Sequence, residues 1–319
     1  MRDLRIVFMG TPEFAVTILE GLLEQQYNIV GVITAPDRPA GRGQKLRKSA
    51  VKECAEKHNL TVLQPTNLKS PDFQASLEAL KPNLHIVVAF RMLPKTVWAL
   101  PEYGTFNLHA SLLPQYRGAA PINWAIINGE TETGVTTFFI DEKIDTGAVI
   151  FQKTLAIEPT ENAGSLHDRL MHAGSELVIK TVAAIAEGNV STHIQEQSEE
   201  LKTAYKLHND NTKIDWTASR LAIFNHIRGL SPYPGSWCTL INGDKEERVK
   251  IYGAGIPDES IDEIQKGEVG SIYIDQGHLY ILTLDGYLEV LEIQLPGKRK
   301  MEMSALLNGY KFAENAKMR

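Results

Sequence analysis

Asn107 and His109 are the side chains in this sequence best placed to do chemistry together. They lie in Gly104-Thr-Phe-Asn-Leu-His109, a short apolar stretch that reads as a strand running into a turn. Strand side chains alternate between faces, so an amide and an imidazole leave this strand end together, with Phe106 and Leu108 opposite. Acyl transfer needs such a pair: a group that moves protons, and a donor aimed at a developing oxyanion. Asp145 is the third candidate, in the turn Ile144-Asp-Thr-Gly147 after the apolar strand Val135–Ile140. A carboxylate there can hold the imidazole in one tautomer and stabilise its charged form.

Taken singly, a histidine at a strand end is more often a satisfied structural residue, and Asp before Thr-Gly is ordinary turn chemistry. The stretch after His109 shifts that balance. Ser111-Leu-Leu-Pro-Gln-Tyr-Arg-Gly-Ala-Ala-Pro-Ile122 has no amphipathic period and is too restricted for an ordinary linker. A constrained apolar loop beside a polar pair indicates a shaped ligand pocket.

The elements that must position these residues can be read from the pattern. Leu4–Met9 is a buried strand; Thr11 is placed as an N-cap, with Pro12 opening a helix whose apolar face is Phe14, Ala15, Ile18, Leu19, Leu22 and Leu23. Ile29–Thr34 is the next strand, a helix follows from about Ser49 to His58, and Leu84–Ala89 and Gly104–Leu108 are further short strands. Short buried strands separated by helices predict a doubly wound, mostly parallel sheet, which binds ligands outside the carboxyl ends of its strands. Asn107 and His109 fall at such an end. A long helix is expected from about Ala163 to Gly188, and polar residues 189–207 read as a connection. From Ser236 onward the pattern is β, with turns at Asp275-Gln-Gly277 and Asp285-Gly286, so a small β-barrel is expected. The domain expectation is therefore 1–189, a linker at 190–207, and 208–319.

Composition sets the outer limits. At 319 residues the chain is long for one core, and 43% hydrophobic residues support ordinary globular packing. No apolar run approaches the roughly 20 residues that span a bilayer, and the start has no long apolar leader. Cys54 and Cys238 lack CxxC spacing, so neither a disulfide framework nor a zinc site is expected, and a reducing cytoplasm is. The histidines show no HExxH pairing, and no metal is expected. The Gly10-Thr-Pro turn lacks the glycine pattern of a dinucleotide or P-loop site.

A net charge of −6 argues against general nucleic-acid coating. Its distribution is more telling, because residues 38–52 hold Arg38, Arg42, Lys45, Arg47, Lys48 and Lys52 with no acid among them. A loop of that kind suits a phosphate backbone. Lys298-Arg-Lys300 is a second cluster, in the expected barrel.

These motifs together resemble the folate-dependent formyltransferases. The resemblance covers nearly all 319 residues and rests on Phe8-Met-Gly-Thr-Pro-Glu-Phe-Ala15, Asp37-Arg-Pro-Ala-Gly-Arg-Gly-Gln-Lys-Leu46, Asn107-Leu-His109, Ser111–Ile122 and Asp145-Thr-Gly147. Late in the chain it continues through Lys213-Ile-Asp-Trp216, Ile227-Arg-Gly-Leu-Ser-Pro-Tyr-Pro-Gly235 and Leu295-Pro-Gly-Lys-Arg-Lys300. It implies a Rossmann-like catalytic domain followed by an OB-like barrel. It further implies formyl transfer from 10-formyltetrahydrofolate, a co-substrate, to the α-amine of methionyl-initiator tRNA in a cytoplasmic monomer. Asn107, His109 and Asp145 become the catalytic expectation. Ser111, Leu112, Leu113, Pro114, Phe90 and Met92 are expected against folate, and Arg42, Lys45, Lys298 and Arg299 against tRNA. The segment Ala89-Phe-Arg-Met-Leu-Pro94 departs from the family pattern, being one residue shorter and lacking its glycine. A formyltransferase acting on a small amine or sugar nucleotide is the alternative; the basic loop and the second domain speak against it.

Overall fold

A computed structural model describes residues 1–40, 45–198, 200–258 and 267–319. Two compact units form, and neither is continuous in sequence. The first comprises residues 1–118, 133–156 and 167–203; the second comprises 119–132, 157–166 and 204–319.

The first unit opens with β1 (Ile6–Gly10), α1 (Glu13–Glu24) and β2 (Ile29–Ile33). A two-stranded hairpin, β3 (Arg38–Ala40) with β4 (Lys45–Arg47), precedes α2 (Ala50–Lys57), β5 (Val62–Leu63) and α3 (Pro71–Ala79). Then come β6 (Leu84–Val88), α4 (Lys95–Trp98), β7 (Thr105–His109) and β8 (Arg117–Gly118). After α5 (Pro121–Ile127) the chain returns through β9 (Glu132–Phe139), β10 (Val149–Ala156) and α6 (Ala163–Glu187), and β11 (Thr203–Ala204) follows. The main sheet runs β10-β9-β7-β6-β1-β2-β5. Its β7-β6-β1-β2-β5 portion is parallel, as expected for a doubly wound fold, and β9 joins β7 antiparallel.

Strand alternation organises both faces. Val7, Met9 and Val87 pack with Ile33, Phe73, Leu77 and Leu93 on one side. On the other, a Cβ built at Gly174 of α6 would lie 2.7 Å from Leu108 Cδ2, so helix and sheet pack backbone-close there. α1 begins one residue later than read from the sequence. Pro12 is its N-cap and accepts the first backbone hydrogen bond, from Ala15 N–H at 3.0 Å, while no side chain caps it. Residues 190–203 also depart from the expected linker: His193 bridges Val149 in β-fashion, and Gln195 is buried. Polar composition concealed this because the segment packs through hydrogen bonds rather than apolar side chains.

In the second unit α5 packs on α7 (Arg220–Leu230), where a Cβ at Gly229 would meet Ile127 Cγ1 at 2.6 Å. The β-rich part contains β12 (Ser236–Asn242), β13 (Lys245–Gly255), β14 (Ile272–Asp275), β15 (His278–Leu282) and β16 (Tyr287–Gln294). It ends in β17 (Met301–Glu302), α8 (Met303–Leu307) and β18 (Lys317–Met318). Strand order is β14-β15-β16-β13-β12-β18. The Ser271–Lys317 bridge and the Met318 N–H to Gly270 carbonyl bond (2.8 Å) join the two edges and close a barrel. Closure removes the open edges that would otherwise recruit other strands. Cys238, Leu240, Val249, Ile251, Leu279, Ile281, Leu288 and Ile293 fill its interior. Burial pushes the Cys238 thiol up to about 12. Among the described residues, no helix is long and apolar enough to cross a membrane.

His85, on β6, is fully buried in the first unit. Thr105 Oγ1 donates to the Trp98 carbonyl at 2.7 Å, so it can only accept from His85 Nδ1, 3.3 Å away. His85 Nε2 has no partner among the described residues, and burial lowers the imidazole from 6.5 to about 3. The native state therefore refuses a proton that the unfolded chain accepts. Below pH 6.5 this costs stability progressively down to about pH 3, with a slope approaching about 1.4 kcal/mol per pH unit. Denaturant unfolding between pH 6 and pH 4 should show His85→Gln losing stability with a slope shallower by nearly one proton than the parent. Equal slopes would mean that His85 is not held neutral.

Candidate active site

The strand β7 delivers Asn107 and His109 to one face because β-strands have a two-residue repeat. The register sets their neighbours: Asn107 lies between Val87 of β6 and Phe138 of β9, and His109 opposite Thr136. Asn107 is half-buried, and its side-chain amide has no hydrogen-bond partner among the described residues. His109 is buried at 6% exposure, and its Nε2 lies 2.8 Å from the Tyr116 carbonyl. A carbonyl only accepts, so Nε2 carries a proton. That leaves Nδ1 as the ring nitrogen whose protonation can change. Nδ1 is 3.9 Å from Asp145 Oδ2, beyond a hydrogen bond but well inside charge–charge range.

Asp145 sits in the left-handed region at φ 54°, where Asp and Asn are the most tolerated side chains after glycine. Gly118 N–H donates to its Oδ2 at 3.0 Å. The glycine of the Asp-Thr-Gly turn has a different reason. A Cβ at Gly147 would fall 1.7 Å from the Phe139 carbonyl oxygen, so no larger residue fits.

The loop after His109 is held from beneath. Leu113 N–H donates to Thr136 Oγ1 (3.2 Å), which donates to the Ser111 carbonyl (2.6 Å). Gln152 Nε2 donates to the Leu113 carbonyl (2.8 Å) and Thr136 Oγ1 (3.0 Å), and Ser111 Oγ to the Gln115 carbonyl (2.7 Å). Leu113 packs with Phe138 and Val149, Leu112 lies over Gly134, and Pro114 is half-buried after a cis peptide bond. Phe90 joins the sheet-face core and Met92 is 70% exposed. In this shortened loop Ala89 itself takes φ 47°. Arg91 ties it down, donating to the Thr66 carbonyl at 3.0 Å and to the Pro65 carbonyl.

Of the expected RNA contacts, Arg42 lies outside the described residues, and Lys45 contributes backbone to β4. The hairpin carrying it is anchored at Asp37, which accepts from Lys52 Nζ (2.6 Å) and Gln64 (2.8 Å). Those donors, Lys52 first, hold the Asp37 carboxyl below its usual range. Lys298 and Arg299 are exposed in the second unit. Sequence reasoning missed a cation–aromatic cluster there: the Arg248 guanidinium lies 3.8 Å from the Trp237 ring centroid and Lys213 Nζ 5.5 Å away. Part of its signal was available, because the Gly243-Asp244 turn pairs Asn242 with Lys245, and counting outward puts Arg248 opposite Thr239, diagonal to Trp237 on the same face. Also missed were Tyr116, Thr136, Gln152 and Gln195, whose roles depend on contacts distant in sequence.

An imidazole with its proton held on Nε2, a nearby carboxylate and an open amide donor, gathered at a strand's carboxyl end, have the chemistry that acyl transfer calls for. The formyl transferase family matches residues 4–182, and its C-terminal domain matches residues 206–311. The chain belongs to the formyl transferase family. A Flavobacterium johnsoniae protein named methionyl-tRNA formyltransferase is 58% identical over 318 residues, covering 100% of both chains. One of that name from Bacteroides fragilis is 50% identical over 322 residues, covering 99% of this chain and 98% of its own. Among solved structures, an N-formyltransferase from Helicobacter canadensis superposes with TM-score 0.63 at 20% identity, over 90% of this chain and 98% of that one. HypX from Aquifex aeolicus, solved with tetrahydrofolic acid, gives TM-score 0.64 at 19% identity. That match covers 96% of this chain and 47% of the longer HypX chain. These two likenesses concern the fold.

Gly147→Ala should destabilise the protein by about 1–3 kcal/mol, the usual penalty for overpacking a tight site. Thermal melts check this. An unchanged melting temperature would show that the turn has room that its geometry denies.

Proposed function

We propose that this chain transfers the formyl group of 10-formyltetrahydrofolate to the α-amine of methionyl-initiator tRNA, acting as a cytoplasmic monomer. The relatives at 58% and 50% identity over essentially the whole chain support the substrate pair. The observation that carries the chemistry is the shared face of Asn107 and His109, with the Asp145 carboxylate 3.9 Å from the imidazole. The amine attacks the formyl carbon, and the C=O electrons move onto oxygen. The Asn107 amide donates to that oxyanion; one such donor is typically worth about 10²–10³ in rate. His109 takes the proton leaving the attacking nitrogen at Nδ1 and returns it to N10 of the folate as the C–N10 bond breaks. Asp145 supports the ring while it is charged. No enzyme nucleophile is required, since a free amine attacks directly.

The donor folate is assigned to the surface formed by Phe90, Met92 and the 111–114 loop, whose Leu112 and Leu113 support it from within. The tRNA phosphates are assigned to Lys45 of β4 and to Arg42, which lies outside the described residues. On the second unit they are assigned to Lys298 and Arg299, together with the cluster around Trp237. In that cluster a stacked guanidinium is suited to phosphate and sugar contacts.

Incubation with 10-formyltetrahydrofolate and charged initiator tRNA should yield formyl-methionine, with His109→Ala slower by about 10²–10⁴ in protein shown by circular dichroism to be folded at the assay temperature. Folate turnover without formyl-methionine would overturn the acceptor assignment, and a folded His109→Ala enzyme with parental rate would overturn the site. Replacing Lys298 and Arg299 by Ala should weaken tRNA binding. The salt dependence should flatten by about one unit of log–log slope for each phosphate no longer neutralised, with folate affinity unchanged. An unaltered salt slope would remove these two residues from the RNA surface.

A further inference from the structure

We infer that Gln195 is a positioning residue for this site, setting the separation of His109 and Asp145 without touching either substrate. The inference rests on the roles proposed above for those two residues. Gln195 lies in the polar stretch after α6, yet it is only 6% exposed and every hydrogen-bonding position of its amide is filled. Its Nε2 donates to the carbonyls of Asp145 (2.9 Å) and Gly147 (2.8 Å). Its Oε1 accepts from Arg117 Nε (3.1 Å) and Nη2 (2.7 Å).

These bonds close a circuit. Arg117 lies between Tyr116, whose carbonyl fixes His109 Nε2, and Gly118, whose N–H fixes Asp145 Oδ2. The 116–118 strip therefore grips both the imidazole and the carboxylate, while Gln195 ties that strip to the backbone of the Asp145 turn. The turn is not self-sufficient. Asp145 is left-handed at φ 54°, and Gly147 is pressed against the Phe139 carbonyl. Both carbonyls that Gln195 satisfies belong to this turn. Without the amide donors, the Asp145 and Gly147 carbonyls lose these partners, and only the Gly118 N–H bond to the Asp145 carboxylate is left to hold the turn against residues 116–118.

Gln195→Glu separates positioning from simple stapling. The carboxylate keeps its bonds to Arg117 and adds charge attraction, but it places an oxygen against two carbonyl oxygens. The turn is then pushed away while the strip remains held. In single-turnover formylation, kcat should fall about tenfold or more, with KM for folate and tRNA within about twofold. In an Asp145→Asn background, whose own rate should already be strongly reduced, Gln195→Glu should change the rate less than about twofold, because no carboxylate is left to position. If the two losses multiply instead, Gln195 acts only through general structure and the inference fails, while the Asp145 assignment stands. If Asp145→Asn alone keeps the parental rate, the Asp145 reading fails and this inference falls with it. Should Gln195→Glu unfold, Gln195→Met is compared in the same two backgrounds: it preserves volume but lacks both donors and the oxygen that accepts from Arg117, and the same loss of effect in Asp145→Asn is expected.

Discussion

The hydrogen bond from His109 Nε2–H to the Tyr116 carbonyl is the constraint on which the site depends. It fixes the ring rotamer, since the acceptor lies in a loop that is itself pinned: Tyr116 N–H donates to the Lys202 carbonyl at 2.7 Å. It also fixes the chemistry, because a carbonyl partner keeps one nitrogen protonated and leaves Nδ1 to exchange a proton beside Asp145. A reversed tautomer would set a bare Nε2 against the Tyr116 oxygen in a buried place and cost about 1–3 kcal/mol. The backbone thus selects the imidazole state that the proposed transfer needs, and in that proposal the carboxylate need only supply charge.

Around that bond the first unit is a frame. Parallel strands β6 and β7 end in register, so Val87 and Asn107 share a face. Antiparallel β9 then brings Phe138 and Thr136 against Asn107 and His109. Thr136 is the hinge of the arrangement. Its backbone belongs to the strand opposite His109, and its hydroxyl accepts from Leu113 N–H and donates to the Ser111 carbonyl. The apolar loop proposed to face the folate is therefore welded to the strand that aligns the imidazole. The cis Leu113–Pro114 bond lies within this welded stretch.

Much of this was legible in the sequence. Alternation in residues 104–109 placed Asn107 and His109 on one face, and the strand–helix rhythm gave the doubly wound sheet, because both follow from local periodicity. The barrel strands were equally local signals, punctuated by Asp275-Gln-Gly277 and Asp285-Gly286. Gln195 was not legible. It sits among polar residues that read as a connection, and its partners are 48 to 78 positions away. Arg91 escaped for a similar reason: its function in the shortened loop is to reach carbonyls at residues 65 and 66. The chain's passage between units was hidden too, since segments 119–132 and 157–166 carry no compositional shift and are assigned to the second unit by packing alone. Local pattern specifies elements; long-range hydrogen bonds specify how a turn such as Asp145-Thr-Gly147 meets a strand end.

The most direct test of this account is the protonation of the His109 ring itself. Nitrogen-15 NMR of histidine-labelled protein, with His109 identified by its absence in His109→Ala, reads the state of each ring nitrogen. The geometry predicts a neutral ring with its proton on Nε2 and a bare Nδ1 facing Asp145. A neutral ring protonated on Nδ1 would contradict it, because the Tyr116 carbonyl would then face a bare Nε2 and the proton-transfer role assigned to Nδ1 would be lost.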